Sequence, residues 1–387
     1  MPFFLSSIEM DKTALVLAGG GALGSYEIGA YEALLEYGYQ FDIVTGTSIG
    51  ALNGAYIAAG QFEDAKRLWN QVTPEIVMKD GVNISKNILK EYSSNRYKDL
   101  IRSGKSFIKN RFSMDNTPFK KYIGATLNVD NIINSKILFG ICATRIPSFI
   151  GEEIVVNTLP ADLVRPYLHA SSACVPIFPM EDINGNHYID GCYHDNLPID
   201  FAFALGASKV IAVDLRLFSL KPLNSFYLNL PNVIYIAPYI SLGSMMDFNH
   251  NSIMNNITLG YLDVHKHFKK YRGYRFCFDI KDISVGHRFL TSLIYTYGKK
   301  SKRILLKLSK GIRTPMDELD YFCRALELLL EKRGYKNYYQ IIGPNDLKAF
   351  LENPTKTRSA TVLGFEKLSP LLNSFLNRLS SEFVDFD

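Results

Sequence analysis

The chain has 387 residues, 47% of them hydrophobic, and a net charge of +5, enough apolar material for one large core or two smaller ones. No run of 18 residues is continuously apolar, and the short start Met1–Ser7 carries no basic stretch, so neither a membrane span nor a signal peptide is expected. Five scattered cysteines (Cys142, Cys174, Cys192, Cys277, Cys323) lack metal-type spacing, which fits a reducing, cytoplasmic setting, and the mild positive charge fits peripheral contact with an anionic surface.

From the N-terminus, Ala14–Ala18 reads as a strand, the turn Gly19-Gly20-Gly21-Ala22-Leu23-Gly24 follows, and a helix is predicted over 25–37. The unit then repeats, with a strand over Phe41–Thr45, the turn Gly46-Thr47-Ser48-Ile49-Gly50 and a helix over 51–59. This βαβα order argues for a parallel sheet with helices on both faces. A further helix is predicted over 63–72. Residues 74–121 change character. They carry eleven Lys/Arg among spaced apolar residues, and 74–135 reads as a helical, lid-like insertion.

Strands resume at 136–143 and 153–156. A helix over 163–172 leads to Val175-Pro176-Ile177-Phe178-Pro179, and a strand over 187–189 ends in Asp190-Gly191. A helix over 198–205, a buried strand over 210–215 and a strand over 232–237 complete the α/β pattern. Beyond about residue 245 the pattern is helical. Residues 283–316 hold eight Lys/Arg and no acid, and Leu363–Phe383 repeats leucine and phenylalanine at helical spacing. The division expected is a catalytic domain over 10–280 and a helical extension over 281–387 packed on it.

Two turns carry the chemistry. In Gly46-Thr47-Ser48-Ile49-Gly50 a serine stands on a strand-to-helix bend, the G-x-S-x-G arrangement that lifts a nucleophile clear of a sheet, with glycines where side chains would collide. A plain tight turn with Ser48 capping the helix explains the same pattern. The three glycines from Gly19 leave bare backbone N–H groups able to hold an oxyanion. The same string matches a dinucleotide fingerprint, but Asp42 precedes the apolar residues of the second strand instead of ending it, and a nucleotide leaves Ser48 unexplained. For the base, Asp190 sits on an Asp-Gly turn at the end of a strand, and His169, His187 and His194 are alternatives. Spacing does not choose between aspartate and histidine. The basic segments at 79–121 and 288–313 fit a solvated helix face first and an anionic lipid surface second, and no nucleic-acid module is recognised.

In the order and spacing of the two glycine turns, of Ala170-Ser171-Ser172-Ala173-Cys174-Val175-Pro176-Ile177-Phe178-Pro179, and of Asp190-Gly191 with Asp195-Asn196-Leu197-Pro198, the chain resembles the patatin-like phospholipases of bacteria over residues 13–215. The resemblance implies a three-layer α/β/α sandwich and a Ser-Asp dyad, with Ser48 as nucleophile, Asp190 as proton acceptor and the N–H groups of Gly20, Gly21 and Ala22 as oxyanion hole. It also implies acyl-lipid esters as substrate and no metal or organic cofactor. Two positions depart from that family's habit: Leu23 stands where Arg or Lys is frequent, and Cys192 where Gly or Ala usually follows Asp-Gly. A catalytically weak lipid-binding member and a nucleotide-binding α/β protein remain the competing readings.

Overall fold

The computed structural model describes residues 11–79, 113–217, 224–312 and 314–352. Its contacts divide into two units, Met1–Tyr261 and Leu262–Asp387. In the first unit the chain runs β1 (Thr13–Leu17), α1 (Ser25–Glu36), β2 (Ile43–Thr47), α2 (Ile49–Ala58), α3 (Phe62–Gln71) and the short α4 (Pro74–Val77). It continues with α5 (Thr117–Thr126), α6 (Val129–Ile133), β3 (Leu138–Ile146), β4 (Ile150–Val155) and α7 (Ala161–Ser171). Then follow β5 (Glu181–Ile183), β6 (Asn186–Asp190), α8 (Ile199–Ala204), β7 (Lys209–Val213), α9 (Asn224–Tyr227), β8 (Val233–Ile236) and α10 (His250–His267).

The strands form one mostly parallel, eight-stranded sheet in the order β5-β6-β3-β2-β1-β7-β8, with β4 paired to β3. This is the mixed α/β architecture expected from the alternating pattern. The β1 strand lies between β2 and β7, parallel to both, and its Ala14–Leu17 are fully buried. That explains an unbroken apolar run in place of alternation. The α2 helix is buried along its whole length, so its sequence is apolar on every side, whereas α3 buries only Ala65, Leu68 and Trp69.

The sheet changes direction at β3. One edge of β3 pairs antiparallel with β4 over Gly140–Arg145. Along the other edge β2 runs parallel as far as Thr47 opposite Cys142, and β6 takes over antiparallel from Asp190 opposite Ala143. The C-terminal ends of β2 and β6 therefore meet head to head beside β3. The β5–β6 hairpin turns on Asn184-Gly185, both at positive φ, the dipeptide that suits a two-residue hairpin loop. The three-residue β5 was not expected from the sequence.

The second unit has its own core. Its elements are β9 (Cys277–Phe278), α11 (Ile283–Tyr297), α12 (Ser301–Leu308), α13 (Glu318–Lys332), β10 (Ile341–Ile342) and α14 (Pro344–Glu352). Phe276, Phe278, Phe289, Phe322 and Leu326 lie in one buried cluster. The side chain of Glu327, fully buried, accepts from the N–H groups of Tyr274, Arg275 and Phe276 at 2.6, 2.6 and 3.1 Å. These bonds tie residues 274–276 to α13; the contacts divide the chain after Tyr261, whereas the sequence reading drew a boundary at 280. The two-residue pairing of β9 with β10 interrupts the otherwise helical extension. Most of the basic stretch inside 74–135 and the tail helix over 363–383 lie outside the described residues. No described helix is long and apolar enough to cross a membrane.

Candidate active site

Ser48 occupies the bend between β2 and α2 with φ 56° and ψ −122°, a strained conformation for a residue with a side chain. The neighbouring glycines permit it. A Cβ on Gly46 would lie 2.4 Å from the Gly50 carbonyl oxygen, and one on Gly50 would lie 2.5 Å from that of Leu17. The bend is thus pressed against the end of β1, and only hydrogen fits at either position. The Ser48 N–H donates to Ser171 Oγ at 3.0 Å, which pins the turn from the end of α7.

The Ser48 hydroxyl donates to Asp190 Oδ2 at 2.7 Å. Asp190 is the last residue of β6, and its other oxygen accepts from the Cys192 N–H at 2.8 Å. Its own N–H donates to the Ala173 carbonyl at 2.9 Å. A Cβ on Gly191 would lie 2.2 Å from the Cys142 carbonyl oxygen, so this glycine lets β6 end flush against β3. Asp190 is 1% exposed. Burial pushes its carboxyl up to about 6, against the opposing pull of the hydrogen bonds from the Cys192 N–H and from Ser48.

The segment Asp195–Pro198 fastens these pieces. Thr47 Oγ1 donates to the Asp195 carbonyl at 2.8 Å and Thr45 Oγ1 to that of Pro198 at 3.0 Å. Asn196 Nδ2 donates to the Gly19 carbonyl at 3.0 Å, and the Gly19 N–H returns to the Asn196 carbonyl at 3.1 Å. One short loop thereby holds the end of β2 and the first glycine turn in register.

In that first turn Gly21 lies beside Ser48 on the wall of a cavity. The Ala22 N–H donates to the Met245 carbonyl at 2.8 Å, so this expected oxyanion donor is already engaged, while no protein acceptor takes the N–H of Gly20 or Gly21 among the described residues. The flanks of the turn are filled as well. A Cβ on Gly20 would meet Leu215 Cδ1 at 2.5 Å and one on Gly21 the Met245 carbonyl oxygen at 2.4 Å. Asp42 accepts from the Thr13 N–H at 2.9 Å, at the far end of the strands from the glycines, so the nucleotide fingerprint lacks its acidic partner.

A cavity opens to solvent beside Ser48. Its walls are mostly apolar, with Leu52, Trp69, Val72, Phe119, Ile177 and Phe248 among them. The three histidines stand elsewhere. His169 is half-buried, its pKa pulled down to about 4 by desolvation and then by Lys120 and Arg165. His187 faces Asp182 at 3.1 Å. The His194 ring packs over Gly151. None is hydrogen-bonded to Ser48 or Asp190 among the described residues. Ser171 was not singled out from the sequence, although it lies in the Ala170–Pro179 motif. Only its contact with the Ser48 amide reveals its part.

The family model described as patatin-like phospholipase matches residues 15–203. A putative patatin-like phospholipase domain-containing protein of Caenorhabditis elegans is 30% identical over 209 residues, 53% of this chain and 17% of that protein. Patatin-like phospholipase domain-containing protein 7 of Rattus norvegicus is 32% identical over 206 residues, 53% of this chain and 14% of that protein. Lysophospholipase nte1 of Aspergillus terreus is 26% identical over 219 residues, 52% of this chain and 12% of that protein. The match thus spans less than a fifth of each relative's length. Among solved structures, VipD from Legionella pneumophila is 15% identical with a TM-score of 0.42, over 97% of this chain and 86% of that chain, a likeness that carries no argument by itself. Residues 15–203, which hold both glycine turns, Ser48 and Asp190, are thus the part of the chain that matches the patatin-like phospholipase family.

Proposed function

We propose that this protein is a serine acyl hydrolase that cleaves carboxylic esters of lipids through a Ser48–Asp190 dyad. The observation that carries the reading is the 2.7 Å hydrogen bond between the two side chains, at the wall of an apolar cavity and beside the uncommitted N–H groups of the first glycine turn. An acyl chain enters the cavity and its ester carbonyl meets the N–H groups of Gly20 and Gly21. Asp190, a carboxylate above about pH 6, accepts the hydroxyl proton as Ser48 Oγ attacks the carbonyl carbon. The tetrahedral oxyanion collapses, the alcohol leaves with the proton from Asp190, and acyl-Ser48 remains. Water, deprotonated by Asp190, releases the fatty acid. Each step uses a proton and a nucleophile that the chain supplies, so no cofactor enters the scheme. Ala22 is left out of the oxyanion hole because its N–H is bound to Met245.

The lipid class is supported by the apolar cavity and by the family. Leu23 is buried and offers no charge to a phosphate, so head-group contacts come from elsewhere. Exposed Tyr295 and Leu306 lie in a stretch with exposed Lys299, Lys300, Lys302 and Arg303, a combination suited to peripheral contact with anionic membranes. The direct test is hydrolysis of p-nitrophenyl esters and of a lysophospholipid by wild type, Ser48→Ala and Asp190→Asn, with fluorophosphonate labelling of Ser48. Hydrolysis and labelling in the wild type, lost in Ser48→Ala, support the dyad. A folded wild type that neither hydrolyses nor labels is a lipid-binding protein instead.

A further inference from the structure

Cys174 and Cys192 are used by no step of the hydrolysis, yet they stand on either side of the base. Their two Sγ atoms and a carboxylate oxygen of Asp190 all lie within 4.8 Å of one another, and neither cysteine is in a disulfide. Cys174 follows α7 and is buried; Cys192, half-buried, is in the turn that follows β6. Two soft sulfur donors and one oxygen suit a thiophilic, tetrahedral cation and not magnesium or calcium, which take oxygen ligands. In a tetrahedral zinc site, bonds of about 2.3 Å to sulfur and about 2.1 Å to oxygen hold donor atoms about 3.5–3.8 Å apart, within side-chain rotation of the arrangement here.

We propose that Cys174, Cys192 and Asp190 form a binding site for a thiophilic divalent cation of the zinc class, and that its occupancy switches the hydrolase off. On binding, each thiol releases its proton to solvent as a sulfur–metal bond forms, and the Asp190 carboxylate supplies the third ligand. No electron changes hands. Cys174 also lines the cavity, so the fourth coordination position opens there and takes a water molecule. A metal-bound carboxylate no longer accepts the Ser48 proton. The binding half of the inference is independent of the catalytic reading; the inhibitory half rests on it.

The experiment is a Cd²⁺ titration of the full chain under reducing conditions, followed by sulfur-to-cadmium charge-transfer absorption. A parallel Zn²⁺ titration of esterase activity references each protein to its own metal-free rate. The wild type is expected to saturate at one equivalent of Cd²⁺. Zn²⁺ is expected to lower its rate about 10²–10⁴-fold, the usual contribution of a general base, with recovery on adding a chelator. Cys174→Ala/Cys192→Ala loses the absorption and the zinc sensitivity. Cys192→Ala alone, the smaller change, serves if the double variant melts at a lower temperature. Absence of the absorption in the wild type overturns the site, as does an unchanged band in the double variant, which would assign the metal to Cys142, Cys277 or Cys323. A band with an active but zinc-insensitive enzyme overturns the switch. A band with no ester hydrolysis at all leaves the metal site standing and removes the dyad reading instead.

Discussion

Thr47 and Asp190 stand opposite consecutive residues of one strand, Thr47 beside Cys142 and Asp190 beside Ala143. Ser48 follows Thr47 directly, so β3 acts as a ruler that sets the distance from Ser48 to Asp190, the proposed base. Both chain ends are also held by short loops, Asp195–Pro198 on one side and Gly191 against Cys142 on the other. This preorganisation matters because a proton acceptor is effective only within hydrogen-bond reach.

The acidic limb of hydrolysis reports Asp190. Its carboxyl is raised to about 6 by burial, and the base must be ionised to act. The value of kcat/KM for a neutral ester is expected to rise with unit slope on a logarithmic scale and to reach half its plateau near pH 6. A midpoint close to the ordinary carboxylate value removes the buried base from the mechanism.

Asp190→Asn is expected to trade activity for stability. The folded-state pKa of Asp190 is raised from 3.8 to about 6. The protonated group therefore contributes stability that is complete below about pH 4 and is lost as pH rises through about 6; above that, the buried carboxylate opposes folding. The uncharged Asn escapes this, so the variant should be more stable by about 1–3 kcal/mol at pH 8, with the gap closing toward pH 4. Denaturant melts at the two pH values measure it, and hydrolysis should fall about 10²–10⁴-fold.

Gly50→Ala tests the packing of the bend. The new methyl group meets the Leu17 and Ala18 carbonyl oxygens at 2.5 and 2.7 Å, so α2 must shift from the end of β1. The expected cost is about 1–3 kcal/mol, with a larger loss of rate because Ser48 moves with the helix. Gly124→Ala, in α5 with nothing within 4 Å of its added Cβ, is the control and should gain about 0.5–1 kcal/mol from helix propensity.

Val72→Trp probes the acyl site. Val72 lines the cavity beside Ser48, and an indole there takes the space of several methylenes, each worth about 0.8 kcal/mol when buried. The ratio of kcat/KM for decanoate to that for butyrate esters should drop at least tenfold. An unchanged ratio means that the acyl chain lies elsewhere.

In the second unit, Glu327→Ala leaves the Tyr274 and Phe276 N–H groups buried without their acceptor and Arg324 without its 2.7 Å partner. Loss of one side of such a buried network costs about 3–5 kcal/mol. Thermal unfolding should show it, with Glu327→Gln, which keeps one acceptor, losing less.

The first half of the fold was legible because its signals are local. The β1 and β2 strands are short apolar runs with glycine at or just past their ends, and the expected ends fall within two residues of the structure. Non-local relations were not legible. Aspartate and histidine remained equal as partners of Ser48 because 142 residues separate Ser48 from Asp190, and only the head-to-head meeting of β2 and β6 brings the aspartate within hydrogen-bond reach of Ser48. The engagement of the Ala22 amide depends on Met245, a residue far along the chain with no motif of its own. The Cys174–Cys192 pair was read as scattered for the same reason. Asn184-Gly185 is different. It is a local hairpin signal, visible in the sequence, and β5 was missed because three residues are too few to establish a period.

Under the proposed dyad, the meeting of β2 and β6 beside β3 also makes hydrolysis a reporter of assembly. Helices α1 and α2 form from neighbouring residues, but the base arrives only when a hairpin beginning near residue 181 docks onto a strand some forty residues earlier. Contacts of that span close late in folding. During refolding, ester hydrolysis should therefore appear after helical circular dichroism has returned, and a nascent chain that has not yet delivered β6 carries a serine with nothing to activate it. On the proposed dyad, hydrolysis stays silent until the sheet is complete.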